Sequence, residues 1–475
     1  MATAERLGRS AGGLLAAMLL SGCAALSPDG GFGAVRDATR QLAGHEVEWA
    51  RDEATRRRLD EQVAALLAQP LGMDAAVQLA LLNNRSLQAA FEELGISDAD
   101  RAQAGRWPNP GFSFGRSTKG DEREIERGLH IDLGRLLALP MVRQLETRRF
   151  QRAQGLATMA VLQLAADTRK AWVGAVAAEQ GVRYARQGVE AAEASAELAR
   201  RMAAIGNFNK LQLAREQSFY ADAALALARA EQAQLGSRER LTRLLGLWGA
   251  QAGFQLPERL PDLPAAPREL PQIERLALEQ RLDVQGARLG IEQTARQLGL
   301  TRATRFVNAF EFGLMRNSSN EAPTQTGWEI GFEVPLFDWG DARVARAEGT
   351  YRQAVARAAA IAIDARSEVR EAYGAYRTAY DIARHQRDER VPLARRISDE
   401  NLLRYNGMLI GVFELLADAR TQIATVNAAI DAQRDFWLAQ ADLDMALLGK
   451  PGLDAAAAVA AGAGKSPAAA GDPGH

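Results

Sequence analysis

The sequence predicts a mainly α protein with a small β part: long coiled-coil helices in two tandem structural repeats, plus four β-strands. Three observations lead there. First, in Thr326-Gly-Trp-Glu-Ile-Gly-Phe-Glu-Val-Pro335 the apolar Trp328, Ile330, Phe332 and Val334 alternate with Glu329, Gly331 and Glu333. A strand sends successive side chains to opposite faces, so one face is wholly apolar and the other acidic or bare. The length matches a bilayer-crossing strand, roughly 9–11 residues. Second, three other segments alternate in this way, while nearly everything else has helix-forming composition. Third, the chain repeats itself. Phe112 and Phe310 lie 198 residues apart, Arg143 and Arg343 200, Gly206 and Gly407 201, and Leu244-Leu245-Gly246 and Leu447-Leu448-Gly449 203. Each half reads as helix, two strands, long helix, hairpin tip and returning helix.

The chain is 475 residues long with a formal net charge of -1, which excludes a broad electrostatic footprint for nucleic acid. Past residue 22 no apolar run approaches the 18 or so residues a spanning helix needs. The N-terminus reads as a signal segment (1–22), with Arg6 and Arg9 before the apolar stretch Ala11 to Leu20. It ends in Leu20-Ser21-Gly22-Cys23, which contains the sole cysteine. This resembles a bacterial lipobox, which implies cleavage before Cys23 and lipidation of its thiol. Ala24 in the following position, rather than Asp, implies sorting to the outer membrane. The alternative is an ordinary secretory signal with an incidental cysteine. A lone cysteine forms no intramolecular disulfide in either case.

Taken in order, residues 23–71 form a lipid tether and a short helix. Glycines and Pro28 predict irregular chain over about 24–48, and a charged helix follows from about Trp49 to Ala68. The first repeat spans 72–250. Asp74 is a candidate N-cap for a helix to about Arg106, stopped by Trp107-Pro-Asn-Pro110. Phe112 and Phe114 then alternate with Ser113 and Gly115, and Leu129, Ile131 and Leu133 with His130 and Asp132. Between them the charged Thr118 to Glu126 reads as a solvated loop. From Pro140 to Ala204 no further proline occurs, which predicts a single helix of about 90 Å. It breaks at Ile205-Gly-Asn-Phe-Asn209, and a second helix returns to Leu245.

A Pro-rich linker (251–270) carries Pro257, Pro261, Pro264 and Pro267. The second repeat (271–450) starts with a helix over about 271–304. Phe310, Phe312 and Leu314 alternate with Glu311 and Gly313, and a polar loop from Asn317 to Gln325 leads into the strand ending at Pro335. A helix to about Glu389 is interrupted by Pro392 and ends near Gly407. The last helix, about 411–448, carries Val412, Leu416, Ala419, Ile423, Val426 and Ile430 at heptad spacing, a coiled-coil seam. Residues 451–475, rich in Ala, Gly and Pro, have the composition of a disordered tail.

Four strands have a consequence for assembly. In lipid no strand edge stays unpaired, so strands cross membranes only as closed barrels. Known bacterial barrels use about eight strands or more. Four cannot close alone; three copies supply twelve. If the strands are transmembrane, the protein is a homotrimer with a 12-stranded barrel and a cylinder of helices below it.

At this point the residues resemble a family, the TolC-type outer-membrane efflux channels in their lipoprotein branch, over about residues 60–450. The matching text is Ala80-Leu-Leu-Asn-Asn-Arg-Ser-Leu87, Gln103-Ala-Gly-Arg-Trp-Pro-Asn-Pro110, Val334-Pro-Leu-Phe-Asp-Trp-Gly340 and the paired tips at Gly206 and Gly407. The resemblance implies a trimer anchored in outer-membrane lipid, with a β-barrel there and an α-helical tunnel across the periplasm. It implies as partners a periplasmic adaptor protein and an inner-membrane pump, and it implies a passive duct: no enzyme, no cofactor, no resident metal. It is closest to the branch of heavy-metal and drug efflux lipoproteins. An outer channel for type I protein secretion, or a pore-free periplasmic coiled-coil scaffold lipoprotein, are the competing readings.

The resemblance also implies site residues. Ile205, Gly206, Phe208, Gly407, Met408, Leu409 and Ile410, apolar or turn-forming at the chain reversals, would dock the adaptor; the alternative is burial against neighbouring helices. Glu414 and Asp418, one turn apart after the second tip, would ring the lumen at a periplasmic gate, with Gln212 the first-half counterpart of Glu414; the alternative is a solvated charge pair. Glu311, Glu329 and Glu333 would face the barrel lumen, favouring cations or keeping the pore wet.

Three strings imitate other chemistry. Gly111-Phe-Ser-Phe-Gly115 fits the pattern of a nucleophile elbow, but a charged loop rather than a helix is expected after Ser113. Gly464-Lys465-Ser466 lacks the first glycine of a phosphate loop and a preceding strand. Asp381, His385 and Glu389 share a helical face at metal-ligand spacing, and so does any solvated helix face.

Overall fold

The computed structural model describes residues 26–305, 310–333 and 336–450. The signal segment, Cys23, Val334 and Pro335 at the end of the expected last strand, and the tail from Pro451 lie outside the described residues.

The architecture is a helical array carrying one four-stranded sheet, built twice over. In the first half, α1 (Phe32–Ala43), α2 (Glu53–Leu67), α3 (Met73–Asn83) and α4 (Arg85–Ala104) precede β1 (Gly111–Lys119) and β2 (Glu122–Asp132). The long α5 (Leu133–Ala204) and the returning α6 (Lys210–Leu245) complete it. The second half repeats the order: α7 (Ile273–Gln280), α8 (Leu282–Thr304), β3 (Phe310–Ser319), β4 (Gln325–Phe332), α9 (Asp341–His385), α10 (Val391–Asn406) and α11 (Val412–Leu448). At 72 residues, α5 is roughly 110 Å long. Among the described residues no helix is long and apolar enough to cross a membrane.

Several boundaries differ from the expectation, each for a local reason. The stretch expected to be irregular contains α1, because Gly31 (φ 74°) and Gly44 (φ 68°) sit in left-handed conformation at its two ends. The next helix starts at Glu53 rather than Trp49, where the Asp52 carboxylate accepts a hydrogen bond from the Thr55 amide at 2.7 Å. The helix expected from Asp74 to Arg106 is two, with Gly72 and not Asp74 at the N-cap. Asn84 breaks it in extended conformation, and its side chain caps α4 by accepting from the Leu87 amide at 3.0 Å. The helix over 271–304 breaks in the same way at Arg281. Helix α5 begins at Leu133 and contains Pro140, because Asp132, the last residue of β2, accepts from the Arg135 amide as its N-cap. Between α9 and α10 the chain stays helical but takes one wider π turn (Gln386–Arg390), which accommodates Pro392 in the first turn of α10.

The duplication extends to hydrogen bonds. Asn83 and Asn84 at the first break donate to the Leu245 and Leu244 carbonyls at 2.9 Å, tying it to the end of α6. Arg281 at the second break donates to the Ala446 carbonyl at the end of α11 at 3.3 Å. Arg143 donates from Nε to the Gly105 carbonyl at 2.9 Å, and Arg343 from Nη2 to the Arg305 carbonyl at 3.1 Å. Both pairs are 200 residues apart, and each closes the neck where a helix enters the strands.

The core is also duplicated. Trp172 on α5, 1% exposed, packs with Leu79, Leu241 and Leu245 and donates its indole N–H to the Leu71 carbonyl at 2.7 Å. Phe436 on α11 packs with Tyr376 and Tyr380 of α9. The Pro-rich linker is strapped across both halves. The Gln255 carbonyl accepts from the Leu71 amide at 2.8 Å, and the Pro261 carbonyl accepts from Trp437 Nε1 at 3.0 Å. The predicted seam of α11 is half-buried at Val412, Leu416, Ala419, Ile423, Val426 and Ile430, and becomes a buried core only at Ala432 and Phe436.

Candidate functional site

Two regions bring the candidate residues together: the sheet, and the hairpin tips at the opposite end of the long helices.

The sheet has the order β1-β2-β3-β4, all antiparallel. The charged run expected to be a loop is strand: β1 and β2 are joined by a tight turn at Gly120 (φ 63°) and Asp121. Likewise β3 runs on to Ser319 and β4 starts at Gln325, so the polar loop is shorter than expected. The register fixes both faces. On one, Phe112, Leu129, Leu314 and Trp328 form a row across all four strands, and Ile131, Phe312 and Ile330 form the next row. Trp328 is 68% and Phe332 67% exposed, so none of the described residues covers this face.

The other face carries Glu126, His130, Asp132, Glu311 and Glu329. Every strand glycine lies on it: Gly111, Gly115, Gly128, Gly313, Gly327 and Gly331. These glycines make room for the neighbours opposite. A Cβ at Gly313 would lie 2.6 Å from Glu329 Oε1, and one at Gly111 would lie 2.1 Å from His130 Nε2. Glycine in a strand marks a place where another group approaches closely, here the side chains of the facing strand. Glu311 and Glu329 therefore share one face with Gly313, as the alternation requires. Glu333 lies one residue past β4 and is exposed. Leu336, Phe337 and Trp339, just below the sheet, are exposed as well.

At the tips, Gly206 adopts φ 78°, and the Asn207 amide donates back to the Met202 carbonyl at 2.9 Å. The second tip makes the same turn one residue later than expected. Gly407 has φ -80°; Met408, at φ 60°, is the left-handed residue, and the Leu409 amide donates to the Arg404 carbonyl at 2.8 Å. The two tips thus superpose Gly206 on Met408, an offset of 202. Ile205 (71%), Met408 (93%) and Leu409 (77%) project into solvent, whereas Phe208 and Ile410 are half-buried. Phe208 stacks on Phe413 with ring centroids 4.3 Å apart, joining the first tip to the start of α11.

Glu414 sits exposed in the first turn of α11, where the helix dipole favours a carboxylate. Its equivalent is Gln212, in the first turn of α6, which forms a capping box with Asn209. The same offset pairs Asp418 with Glu216, a residue that sequence reasoning missed. Glu216 is 7% exposed, accepts a hydrogen bond from the Ser195 hydroxyl of α5 and forms an ion pair with Arg420 of α11. Arg420 also lies over the Phe219 ring at 3.8 Å. This cluster links three helices two turns above the tips. Asp418 Oδ2 and Arg420 Nε are covered, yet no described protein atom bonds them. The signal was available: with the offset taken from the tips rather than from Gly407, an acidic residue recurs at 216 and 418.

No protein-family model matches the chain. Among curated proteins, the chain is 25% identical over 278 residues to the cobalt-zinc-cadmium resistance protein CzcC of Cupriavidus metallidurans. That match covers 57% of this chain and 64% of the relative, just under two thirds of its length. Among solved structures, CusC, described for conformational changes accompanying folding and transmembrane channel formation, superposes with a TM-score of 0.65 at 17% identity, covering 80% of this chain and 93% of its own. The outer membrane protein VceC of Vibrio cholerae gives 0.66 at 16%, over 79% and 95%. The CmeC outer membrane channel of Campylobacter jejuni gives 0.64 at 16%, over 88% and 92%.

The chain has the fold of the TolC-type outer-membrane channels.

Within this TolC-type frame the imitative strings take their places. Ser113 lies mid-strand in β1 against Gly128, so no strand-to-helix elbow exists there. His385 Nδ1 approaches Glu389 at 3.2 Å on an exposed helix face. Among the described residues no group of three His, Cys, Asp or Glu side chains is placed to hold a metal ion.

Proposed function

We propose that the protein is the outer-membrane exit duct of a tripartite efflux system, acting as a homotrimer and catalysing no reaction. The observation that carries this reading is the sheet: four antiparallel strands with, among the described residues, two unpaired edges, one uncovered apolar face and one glycine-lined acidic face. Unpaired edges and an uncovered aromatic face are stable together only when further strands close the sheet and lipid covers it. Three copies supply twelve strands. The exposed Phe337 and Trp339 would stand at the lower membrane boundary, where amphipathic rings gather. Exposed leucines on the returning helix α6 (Leu225 and Leu235) and on α10, which leads into the second tip (Leu402 and Leu403), would pack between protomers.

In this reading Glu126, Glu311 and Glu329 line the pore, and the helix ends form the periplasmic entrance. Opening separates the hairpins that Phe208–Phe413 and Glu216–Arg420 hold together. Glu414 and Asp418, repeated three-fold, add negative charge at the constriction, and the projecting Ile205, Met408 and Leu409 dock a periplasmic adaptor that connects to an inner-membrane pump. Cys23 carries the lipid. The cargo is small and cationic, divalent metal ions foremost; the acidic face and the name of the curated relative support this over protein secretion.

Planar-bilayer recording of the purified trimer tests the proposal. Cation-selective current is expected, with selectivity reduced in Glu311→Gln/Glu329→Gln. Absence of current even from Arg420→Ala and Glu414→Gln variants would leave only the scaffold reading.

A further inference from the structure

The charges of the sheet are sorted by face. The strand arginines, Arg116, Arg123, Arg127 and Arg316, lie on the same face as Trp328 and Phe112. The strand carboxylates, Glu122, Glu124, Glu126, Asp132, Glu311 and Glu329, lie on the other. Lys119 is on the acidic face too, so the outward cations are all guanidinium.

The arginines are also sorted by height. Six residues separate Phe332 from Thr326, about 20 Å along the strand. Below that level the outward face is aromatic and aliphatic. At it, Arg127 and Arg316 stand directly opposite each other on β2 and β3, flanked by Phe114 and Thr326. Arg116 comes one row further and Arg123 another, beside the hairpin turn. All four are exposed, and among the described residues none forms an ion pair. The nearest side-chain partner is the Ser318 hydroxyl, 3.5 Å from Arg127 Nη1.

Like charges directly opposite each other on neighbouring strands destabilise a sheet. A lipid-facing arginine is costly at mid-bilayer and nearly neutral at the boundary. Both penalties vanish if these side chains meet fixed anions at headgroup level. A guanidinium fork matches a phosphate in two-point geometry and is weakly hydrated, which suits a lipid boundary better than lysine does.

We propose that Arg116, Arg123, Arg127 and Arg316 form an outward belt that binds the phosphate groups of anionic glycolipids in the leaflet around the hairpin ends of the barrel. This rests on the membrane-channel reading of the sheet. Twelve arginines would ring the trimer, clamping it to the outer leaflet directly above its aromatic band.

The test uses the full-length trimer in neutral detergent, titrated with diphosphorylated lipid A and monitored by native mass spectrometry. Wild type is expected to retain the lipid, and its fully dephosphorylated form is expected not to bind. Arg127→Gln/Arg316→Gln should weaken retention by roughly fivefold for each charge removed, and the four-fold Gln variant further. Lys119→Gln should change nothing. Bilayer conductance of each variant reports folding and pore integrity independently. Current with no loss of lipid in the arginine variants would overturn the belt while leaving the channel reading intact. Loss of current in wild type would instead fail the channel reading. Equal competition by excess inorganic phosphate would also overturn the proposal, since it would make the belt a general anion site.

Discussion

In the proposed duct, replacing Arg420 by Ala should open the end formed by the hairpin tips. Arg420 is the only charged partner of Glu216 among the described residues, and the Glu216 side chain is 10% exposed against 30% for Arg420. Removing one member of a fully buried pair costs about 3–5 kcal/mol, because the other charge is left without compensation. Partial exposure of Arg420 reduces this to about 2 kcal/mol, and loss of its contact with Phe219 adds up to about 1 kcal/mol. If the open state breaks this cluster, about 3 kcal/mol shifts the closed-to-open ratio by roughly 150-fold. Single-channel recording reads this as a rise in open probability, and a deletion strain carrying the variant should become sensitive to large hydrophilic antibiotics. Glu216→Gln, which keeps the bond to Ser195, should give a smaller rise, and the double variant should not exceed the sum. An intact Arg420→Ala trimer with wild-type open probability would refute the latch.

Met408→Gly should leave the tip turn unchanged and relieve about 1 kcal/mol of left-handed strain, while adaptor affinity falls, because the side chain itself is 93% exposed; thermal denaturation and surface-immobilised binding read the two effects separately. Asp98, whose side chain is 2% exposed, is opposed by burial, but hydrogen bonds from Arg101 and from Ser27 outweigh it and hold its carboxyl below the usual carboxylate range. A depressed folded-state value means the stabilisation is present above the unfolded value and is lost as pH falls through the folded one. Hydrogen exchange of Ser27 and α1 should therefore accelerate below the usual carboxylate range, and Asp98→Asn should remove the step. Arg281→Met, which strands Asp283 and Glu368 at the second helix break, should lower chemical-unfolding stability by about 3 kcal/mol.

The duplication, the long helices and the four strands were legible because each leaves a periodic trace. What escaped left a different trace or none. The breaks at Asn84 and Arg281 carry neither Gly nor Pro; they form because the flanking helices must turn to meet the ends of α6 and α11, a tertiary demand. The strand over Glu122 to Arg127 alternates in the sign of its charge rather than in hydropathy, so a search for alternating apolar residues reads it as loop. The second tip was misplaced by one because Gly407 is the residue local propensity would choose for φ > 0, whereas Met408 takes it. The latch was hidden because its members, Ser195, Glu216 and Arg420, come from three helices.

The sheet shows how narrow the tolerance for such errors is in the molecule itself. Its side-chain period is two, so a slip of one residue in β2 would exchange its faces. Arg123 and Arg127 would join the acidic, glycine-lined face, while Glu122, Glu124 and Glu126 would join the apolar face of Phe112 and Trp328. Two devices hold the register. The two-residue turn at Gly120 and Asp121 fixes β1 against β2, and Asn320 fixes β2 against the β3 turn, donating to the Asp121 carbonyl at 2.8 Å and accepting from the Arg123 amide at 2.6 Å. The glycines supply a third constraint, since Gly128 faces Ser113 and Gly313 faces Glu329 only in the native pairing. Turn, cross-strand clamp and glycine placement thus select one register, and with it the separation of the carboxylates from the arginines and aromatic rings.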